Sequence, residues 1–412
     1  MKKHFFGFLF LLIYASQIFA SINLRLCKYE NQYIIGWNGY NKGLLLIDTH
    51  PMIDTKSSKI IAISKSVFYK GFRHNFVVLD SLENDKTYYF QIISENFKKK
   101  TQVFHFQTFS EDVKELKLIT GGDSRNSVPI FEVHPKVGRK ALQKGNRLVA
   151  KLSPDAILFN GDFILNRYPL MSKREWKKWL NDWQLTISSD GKVIPIIPAL
   201  GNHESDKDLQ NIFGIPQQHG NYITDFGHLA RVITLDNRQN VCNTPQTFWL
   251  DSIMQVTPSS VWKIAQYHIP ASPVGTHYGK REDVLKCWWT IFEKHQLDFA
   301  NEAHAHLMKT SYPLVLTEDQ QSFQKSENSG TIILGEGAWG APLRKFKPDT
   351  VNYFDIDAYH GFHYLIINQD SSIVYSIDFS QTQDSSCVIP NANGVISRKS
   401  KTKGDCFVVK KK

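Results

Sequence analysis

The chain is expected to fold as a layered α/β protein that follows a smaller all-β domain. Residues 21–110 contain short alternating apolar runs separated by polar turns, a pattern typical of a β-sandwich. After Glu111, apolar strands alternate with helical segments, as they do in layered α/β proteins. The length of 412 residues exceeds a usual single core, which also favours two domains.

Residues 1–20 precede both domains and have the pattern of a secretory signal. Two lysines come before an apolar run centred on Phe5 to Ile13, and the small residue Ala20 stands at a plausible cleavage point. An uncleaved membrane anchor is the alternative, but the run is shorter than the roughly 20 residues that a spanning helix needs. The sequence therefore predicts a secreted or periplasmic protein without stable membrane insertion.

The first domain, residues 21–110, contains six expected strands. They are YIIGW, GLLLID, KIIAIS, HNFVVLD, TYYFQIIS and VFHFQTF. The stretch from Leu82 to Tyr88, followed by the last strand, is similar to the corner of fibronectin type III domains, where a Tyr hydroxyl bonds to nearby backbone. A generic β-domain without functional content is the alternative interpretation.

The second domain is expected to cover residues 111–385, with a basic tail at 386–412. Its elements are, in order, the strand LKLIT, a helix near 134–152, the strand DAILFN, a helix near 173–184, and the strands VIPIIPAL, RVITLD, VWKIAQY, LDFANE and TIILGE. Two apolar stripes at helical spacing are interpreted as core rather than as stacking platforms. They are Trp176, Trp179, Leu180 and Trp183, and then Leu285, Trp288, Trp289 and Phe292.

The net charge of +10 lies partly in the signal and partly in the tail RKSKTKGDCFVVKKK, which is interpreted as solvated. The remaining excess favours small anionic, phosphate-bearing substrates through long-range attraction that salt weakens. No nucleic acid partner is expected, except a nucleotide as substrate, and the sequence does not specify an oligomeric state.

The mature chain has five cysteines, which makes disulfides possible after export. Cys387 and Cys406 could clip the tail, and Cys242 with Cys287 is conceivable, which would leave Cys27 buried as a small apolar group. The sequence leaves this pairing open. Because no two cysteines have C-x-x-C spacing, a thiolate metal site is not favoured.

Five short segments place metal-seeking side chains where strands should end. They are GGDSR with Asp123, FNGDF with Asp162, ALGNHE with Asn202 and His203, AQYHIP with His268, and EAHAHL with His304 and His306. Loops that follow strands are where open α/β sheets expose functional groups. Carboxylate, amide and imidazole groups suit divalent or trivalent ions, and one Asp can bridge two ions about 3.5–4 Å apart. The set predicts a two-metal hydrolytic site.

The order of these segments resembles the calcineurin-like metallophosphoesterase superfamily. Its pattern is an Asp, a Gly-Asp, a Gly-Asn-His-Glu/Asp, a lone His and a His-x-His, and the resemblance covers roughly residues 24–380. Within the superfamily the chain looks most like a purple acid phosphatase, because His277 follows His268 by nine residues and a β-sandwich-like segment comes first. The resemblance implies a four-layer α/β/β/α sandwich preceded by a fibronectin type III-like domain.

The resemblance also implies a role for each site residue. Asp162 would bridge two metal ions, iron with zinc or manganese, and the sequence leaves the identity of the metals open. Asn202, His268 and His304 would complete the second metal site, and Asp123 and His306 the first. An extended backbone would let His304 and His306 point to the same side of the chain. His203 would be the proton donor, oriented by Glu204, and His277 would contact phosphate or assist the donor, with a surface histidine as the alternative for His277.

The first metal site departs from the superfamily pattern. Arg125 stands where Asp-x-His would place an imidazole, and Leu165 stands where purple acid phosphatases have a Tyr. The first ion could be weakly held, take an extra water, or recruit Asn166 or Tyr168, and the enzyme should be colourless. Arg125 could clamp a substrate phosphate, fill the place of the first metal, or pair with a carboxylate such as Glu132. Ala303 also replaces the usual Gly before His304.

The expected function is hydrolysis of phosphate monoesters by an exported acid-phosphatase-like enzyme. A hydroxide held by the metals would attack phosphorus, with Asp162 and Arg125 in the catalytic constellation and His203 protonating the departing oxygen. A phosphodiesterase or nucleotidase with the same site is the first alternative. The second is an exported binding or adhesion protein whose catalytic domain has decayed, which the gap at the first metal favours slightly.

Overall fold

We describe the fold from a computed structural model. It covers residues 22–39, 43–125, 135–166, 169–216, 220–327, 329–349, 351–380, 387–388, 396–397 and 406–411. The predicted signal, Tyr168 and Glu132 lie outside these residues. Within them, no helix has the length and apolar character needed to cross a membrane.

Twenty-five strands and five α-helices form the described part of the chain. The strands are β1 (Arg25–Tyr29), β2 (Gln32–Trp37), β3 (Gly43–Asp48), β4 (Lys59–Ala62), β5 (Lys65–Tyr69), β6 (Phe72–Leu79), β7 (Thr87–Ser94), β8 (Phe104–Gln107), β9 (Glu115–Gly121), β10 (Ala156–Phe159), β11 (Ile196–Pro198), β12 (Tyr222–Phe226), β13 (Ala230–Thr234), β14 (Trp262–Gln266), β15 (Phe299–Asn301), β16 (Met308–Ser311), β17 (Leu314–Leu316), β18 (Phe323–Lys325), β19 (Ile332–Gly335), β20 (Tyr353–Asp357), β21 (Gly361–Asn368), β22 (Ser371–Asp378), β23 (Cys387–Val388), β24 (Ile396–Ser397) and β25 (Phe407–Lys410). The helices are α1 (Pro135–Leu152), α2 (Pro169–Trp183), α3 (Asp206–Asp208), α4 (Pro245–Val256) and α5 (Thr290–Lys294), with a 3₁₀ turn at Gln184–Thr186 and π-helical turns at Leu209–Phe213 and Val284–Trp289.

Two large sheets form the centre of the molecule. The first has the order β25-β22-β21-β9-β10-β11-β1-β2-β6-β5, and the second has the order β12-β13-β14-β15-β19-β16-β20. Strands β9, β10 and β11 run parallel, as do β13, β14, β15 and β19. Helices α1 and α2 pack on the first sheet and α4 on the second. The predicted four-layer α/β/β/α sandwich is therefore confirmed.

Strand alternation explains how the two sheets share a core. Along β14, Trp262 and Ile264 pack between the sheets, whereas Ala265 packs beneath the outer helices. On β19, Leu334 faces the first core and Ile333 the second. Side chains on both faces are buried, as expected for parallel strands covered on two sides.

The N-terminal part is an all-β sandwich, as predicted, with a hydrophobic core of its own between two groups of four strands. Strands β4, β3, β7 and β8 form one sheet, whereas β1, β2, β6 and β5 continue the first large sheet. The two parts join where β1 runs parallel to β11, with Cys27 opposite Ile196. The predicted Tyr corner is present, since the Glu83 amide donates to the Tyr88 hydroxyl at 2.9 Å.

All fifteen strands and helices anticipated from apolar patterns appear. Within the N-terminal part, β1 and β5 were not anticipated. Strand β1 has the sequence RLCKY, and Arg25 and Lys28 are buried in it. The Arg25 guanidinium donates to the Asn23 carbonyl and to Asn38 Oδ1. These hydrogen bonds make the buried charge of Arg25 tolerable, and the apolar pattern of the sequence does not show that Asn38, 13 residues away, supplies one of them.

Both tryptophan stripes are core, as predicted. Trp176, Trp179 and Trp183 are at most 3% exposed and pack in the first core. Trp288 and Trp289 are fully buried in the second core, although a π-helical turn rather than an α-helix carries them. These aromatic side chains therefore cannot serve as stacking platforms for a ligand.

A disulfide joins Cys242 and Cys287, and Cys27 is a buried thiol. The side chain of Cys387 lies outside the described residues, so its pairing with Cys406 stays a prediction. The interpretation of a solvated tail is wrong for its last residues. Strand β25 pairs with β22, and Lys411 Nζ lies 2.6 Å from Asp298 Oδ2.

Candidate metal centre

The five predicted segments converge at one edge of the two sheets. They follow β9, β10, β11, β14 and β15, whose carboxyl ends meet there. The side chains brought together are Asp123, Asp162, Asn202, His203, His268, His304 and His306. The five loops that the sequence analysis singled out are thus next to one another in the fold. The distances between their side chains could not be predicted from sequence order.

The predicted second-metal ligands form a compact group. His268 Nε2 lies 3.3 Å from Asp162 Oδ1, 3.0 Å from Asn202 Oδ1 and 3.2 Å from His304 Nδ1. Among the described residues, only Asp162, His268 and His304 bring three His, Cys, Asp or Glu ligand atoms within 4.8 Å of one another.

The surroundings of this group fit a cation. His268 Nδ1 donates to the Asn160 carbonyl at 2.7 Å, which directs Nε2 into the centre. Asp162 is fully buried, and its Oδ2 has no hydrogen-bond donor among the described residues. Asp123 Oδ1 is similarly buried without a donor in that part of the chain. Buried carboxylate oxygens left without hydrogen bonds need positive charge nearby, which a metal ion would supply in addition to Arg125, whose Nε lies 3.3 Å from Asp162 Oδ2.

Four of the predicted ligands have a left-handed backbone. The φ angles are 55° at Asp123, 56° at Asp162, 73° at His304 and 57° at His306. The expectation of an extended His304–His306 segment is therefore wrong, because both histidines leave the β region. Non-glycine residues in this conformation cluster at functional sites, where the surrounding structure holds them. The two imidazoles still contact different groups. His304 contacts His268, and His306 contacts Asp123.

Two glycines allow the loops after β10 and β11 to touch. A Cβ atom at Gly161, which has φ 85°, would collide with the backbone nitrogen of Gly201. Glu204 ties these loops together, because its carboxyl group accepts from the amides of Asp162, Phe163 and Gly201. Burial and the neighbouring Asp162 charge raise the pKa of Glu204 to about 8. Glu204 thus positions the Asp162 backbone rather than the His203 ring that the sequence assigned to it.

Arg125 lies among the predicted first-metal ligands. Its Nη2 donates to His306 Nε2 at 3.1 Å, and its Nε lies 3.3 Å from Asp162 Oδ2. Asp123 Oδ1 is 3.3 Å from the same His306 nitrogen. Asn166 is engaged elsewhere, because its Oδ1 accepts from both Ser172 and Lys70 and its Nδ2 donates to the His203 carbonyl.

His203 is placed for contact with a substrate. Its Nε2 lies 3.7 Å from Asp162 Oδ2, its side chain is 18% exposed, and it is hydrogen-bonded to the Leu165 backbone. Burial lowers the pKa of His203, Asp162 opposes this shift and Arg125 adds to it. The ring is thus partly open to solvent beside the Asp162 carboxylate.

Charges couple the buried ligands. Burial lowers the pKa of His268, but the Asp162 carboxylate more than offsets this effect and raises it to about 9. Burial together with His268 lowers the pKa of His304 to about 3. The pKa of Asp162 is held far below its usual range, because its cationic neighbours outweigh burial. Asp162 is therefore ionised and available as an anionic ligand.

Tyr278 and Arg344 line the same centre, and sequence reasoning missed both. His277 is exposed, whereas the adjacent Tyr278 ring lies 4.2 Å from the His304 ring. Arg344 stands 4.7 Å from the Tyr278 ring, and its Nε is 3.3 Å from His306 Nδ1. The segment GAPLRKF carries no motif that points to Arg344. The role assigned to His277 stays a prediction.

A buried ion network supports the histidine loops and was also missed. Lys309 Nζ lies 2.9 Å from Glu302 Oε2 and 2.6 Å from Glu336 Oε1, and all three side chains are fully buried. Glu302 also accepts from the Tyr267 hydroxyl and the Ala271 amide. Because Glu302 and Tyr267 adjoin the ligand loops after β15 and β14, this network fixes those two loops relative to each other.

The chain matches one family model and is similar in fold to several solved structures. Residues 133–308 match the family model described as calcineurin-like phosphoesterase. The fold is similar to that of the purple acid phosphatase PPD1 from yellow lupin (Lupinus luteus) seeds, with a TM-score of 0.73, 15% identity, and coverage of 95% of this chain and 74% of that one. It is also similar to PhoD, with a TM-score of 0.65, 10% identity, and coverage of 95% and 90%. No curated protein sequence matches significantly.

Proposed function

We propose that this chain, a metallophosphoesterase of the calcineurin-like superfamily that resembles purple acid phosphatases, hydrolyses phosphate monoesters after export. The observation that carries the proposal is the compact group of Asp162, His268 and His304, with Asn202 beside it. Bound there, a divalent cation would lower the pKa of water and offset the charge of a phosphate group.

The residues of the chain supply the remaining parts of the reaction. Water adds to phosphorus as the ester P–O bond breaks, and the departing oxygen needs a proton. His203, partly open to solvent and 3.7 Å from Asp162 Oδ2, is placed to donate that proton. Arg125 and Arg344 add two fixed positive charges that favour the anionic substrate and the charge of the transition state.

Export is proposed from the signal-like residues 1–20 and from the disulfide between Cys242 and Cys287. Disulfides persist in secreted and periplasmic proteins and are rare in the reducing cytosol of most organisms. The positive charge of the chain would draw phosphate esters in either exported compartment.

The kind of metal predicted from sequence, but not the number of ions, belongs to the same proposal. Proteins of this superfamily and the purple acid phosphatases use a dimetal centre. Iron with zinc or manganese fits the mixed nitrogen and oxygen ligands. The protein should be colourless with any of them, because buried Leu165 stands where a tyrosinate ligand would be needed for a charge-transfer band.

The proposed function is tested with Asp162→Asn. The amide keeps the shape of the side chain but removes the charge that faces His268, so p-nitrophenyl phosphatase activity should fall at least about 1000-fold. Circular dichroism should still show a folded protein. The matched control is Asp251→Asn on α4, an exposed carboxylate paired with Lys294, which should keep full activity.

Retention of most activity by Asp162→Asn would show that the Asp162 assignment is wrong. Rates on p-nitrophenyl phosphate, bis-p-nitrophenyl phosphate and adenosine monophosphate separate the monoesterase from the phosphodiesterase and nucleotidase alternatives. A folded exported protein that binds no metal and turns over none of these substrates would instead support the decayed binding protein.

A further inference from the structure

We infer that the guanidinium group of Arg125 takes the place of the first metal ion, so that the site holds one cation, on Asp162, Asn202, His268 and His304. The inference deepens the proposed function and rests on it, because it concerns how many cations serve the same reaction. It differs from the dimetal centre that the resemblance implies.

The geometry around His306 carries the inference. His306 Nδ1 lies 2.8 Å from the Pro342 carbonyl, so Nε2 is the ring nitrogen left to face the centre. Arg125 Nη2 donates to that Nε2 at 3.1 Å. A nitrogen lone pair that accepts an N–H bond cannot bind a metal ion at the same time. Arg125 therefore uses the contact that a first metal ion would need.

Arg125 also contacts the Asp162 carboxylate, which would bridge two metal ions in a dimetal centre. Arg125 Nε lies 3.3 Å from Asp162 Oδ2, whereas Asp162 Oδ1 faces His268. One oxygen of the carboxylate is thus directed at a fixed cation and the other at the second-metal ligands. The guanidinium bridges Asp162 and His306, as a first metal ion would.

The remaining ligands are too few for a second ion. Without His306 and with Asp162 facing Arg125, only Asp123 is left to the first position. Metal sites in proteins commonly use three or four protein ligands. Among the described residues, the ligand atoms of Asp123, Asp162 and His306 do not form a set of the kind found at Asp162, His268 and His304. Arg344, with Nε 3.3 Å from His306 Nδ1, adds a second positive charge that would repel a divalent ion.

An arginine in this position can still serve phosphoryl chemistry. Its planar donors match phosphate oxygens, and its charge is permanent at any physiological pH. Unlike a metal ion, it cannot be removed by a chelator. Arg125 would therefore hold one side of the phosphate while the single cation holds the other.

The experiment measures metal stoichiometry. Full-length protein is stripped with chelator, reloaded with excess Mn²⁺, freed of unbound ion by gel filtration, and examined by elemental analysis and electron paramagnetic resonance. We expect one Mn²⁺ per wild-type chain, with the signal of an isolated ion. Arg125→His removes the guanidinium and supplies an imidazole, so the content should double and the signal should show coupling between two ions. Arg125→Lys keeps the charge and should stay at one ion.

Arg139→His is the matched control, because it adds an imidazole on α1, where Arg139 pairs with Asp182 away from the centre. Its content should equal that of the wild type. Two coupled ions per wild-type chain, or none, would overturn the inference, and so would an Arg125→His protein that still holds one. The wild-type count requires no variant to fold.

The stoichiometry also separates this inference from the proposed function. One ion per chain without hydrolysis of any phosphate ester would refute the function and leave the inference standing. Two ions per chain with normal hydrolysis would refute the inference and leave the proposed function standing.

Discussion

His203 shows how the chemistry of one side chain depends on residues far away in sequence. Its backbone amide donates to Asp162 Oδ1, and its ring is held near Asp162 Oδ2. The GNHE motif was enough to predict the position of His203 beside the ligands. The motif could not show that Glu204 would hold the Asp162 loop instead of the imidazole, because that contact joins loops 42 residues apart.

The proposed role of His203 as proton donor predicts a dependence on the leaving group. His203→Asn should lower kcat about 100–1000-fold for an alkyl phosphate, whose alkoxide needs a proton as it departs. The loss should be at most about 10-fold for p-nitrophenyl phosphate, whose phenolate leaves without one. Steady-state kinetics on both substrates measure the difference.

An equal loss on both substrates would contradict the proton-donor role of His203. His277→Asn provides the comparison, because the His277 side chain is exposed whereas the His203 side chain is only 18% exposed. If His277 only contacts phosphate, its replacement should raise KM for both substrates alike and leave the leaving-group dependence unchanged.

At the scale of strands and helices, local patterns were informative where apolar residues repeat regularly. Helix α1 was expected near 134–152 and spans Pro135–Leu152, and β14 and β15 lie where their apolar runs predicted them. Strand β1 was missed, because Arg25 and Lys28 make its sequence look exposed. The positive φ angles of the ligand loops were also invisible, since they are set by contacts between loops rather than by residue type.

The disulfide between Cys242 and Cys287 links the loop before α4 to the π-helical turn at Val284–Trp289. It therefore closes a loop that contains α4 and β14. The two cysteines are 45 residues apart, so loop-closure entropy predicts a stabilisation of about 4 kcal/mol. Cys242→Ser combined with Cys287→Ser should lower the free energy of unfolding in urea by about 2–4 kcal/mol.

The control for that measurement is wild-type protein unfolded in the presence of a thiol reductant, which should lose a similar amount of stability. An unchanged urea midpoint in both cases would mean that this crosslink does not contribute to stability. The side chain of Cys27, which is buried as a free thiol, is unaffected by either treatment.

At the scale of the whole molecule, buried ionisable groups lie in the N-terminal part as well as in the catalytic part. His74, in the N-terminal part, is fully buried. Its Nδ1 faces Arg25 Nη2 at 3.4 Å and Asn38 Nδ2 at 3.2 Å, while Nε2 lies 3.2 Å from the Tyr69 carbonyl. Burial and the Arg25 charge lower the pKa of His74 to about 3.

This shift predicts a loss of stability in acid. The folded pKa lies below the value of about 6.5 expected for an unfolded histidine, so the unfolded chain takes up the proton first as pH falls. The stability is complete above pH 6.5 and decreases below it, by about 2–3 kcal/mol at pH 4.5 from this group alone. Urea unfolding of the wild type and of His74→Gln at pH 7 and 4.5 should show a weaker pH dependence in the variant.

His50→Gln is the matched control for acid unfolding, because the His50 side chain is 82% exposed. That variant should keep the wild-type pH dependence. If His74→Gln also kept it, acid sensitivity would have to come from other buried groups, of which His363 is one, since burial lowers its pKa to about 3.

The sheet that runs through both parts has a mechanical consequence. Strand β1 pairs with β11, and β11 leads directly into the loop of Asn202 and His203. A rotation of the N-terminal strands against the rest would have to break main-chain bonds at that seam. The N-terminal part therefore cannot swing like a lid over a substrate. Through β11, it supports the loop that carries Asn202 and His203.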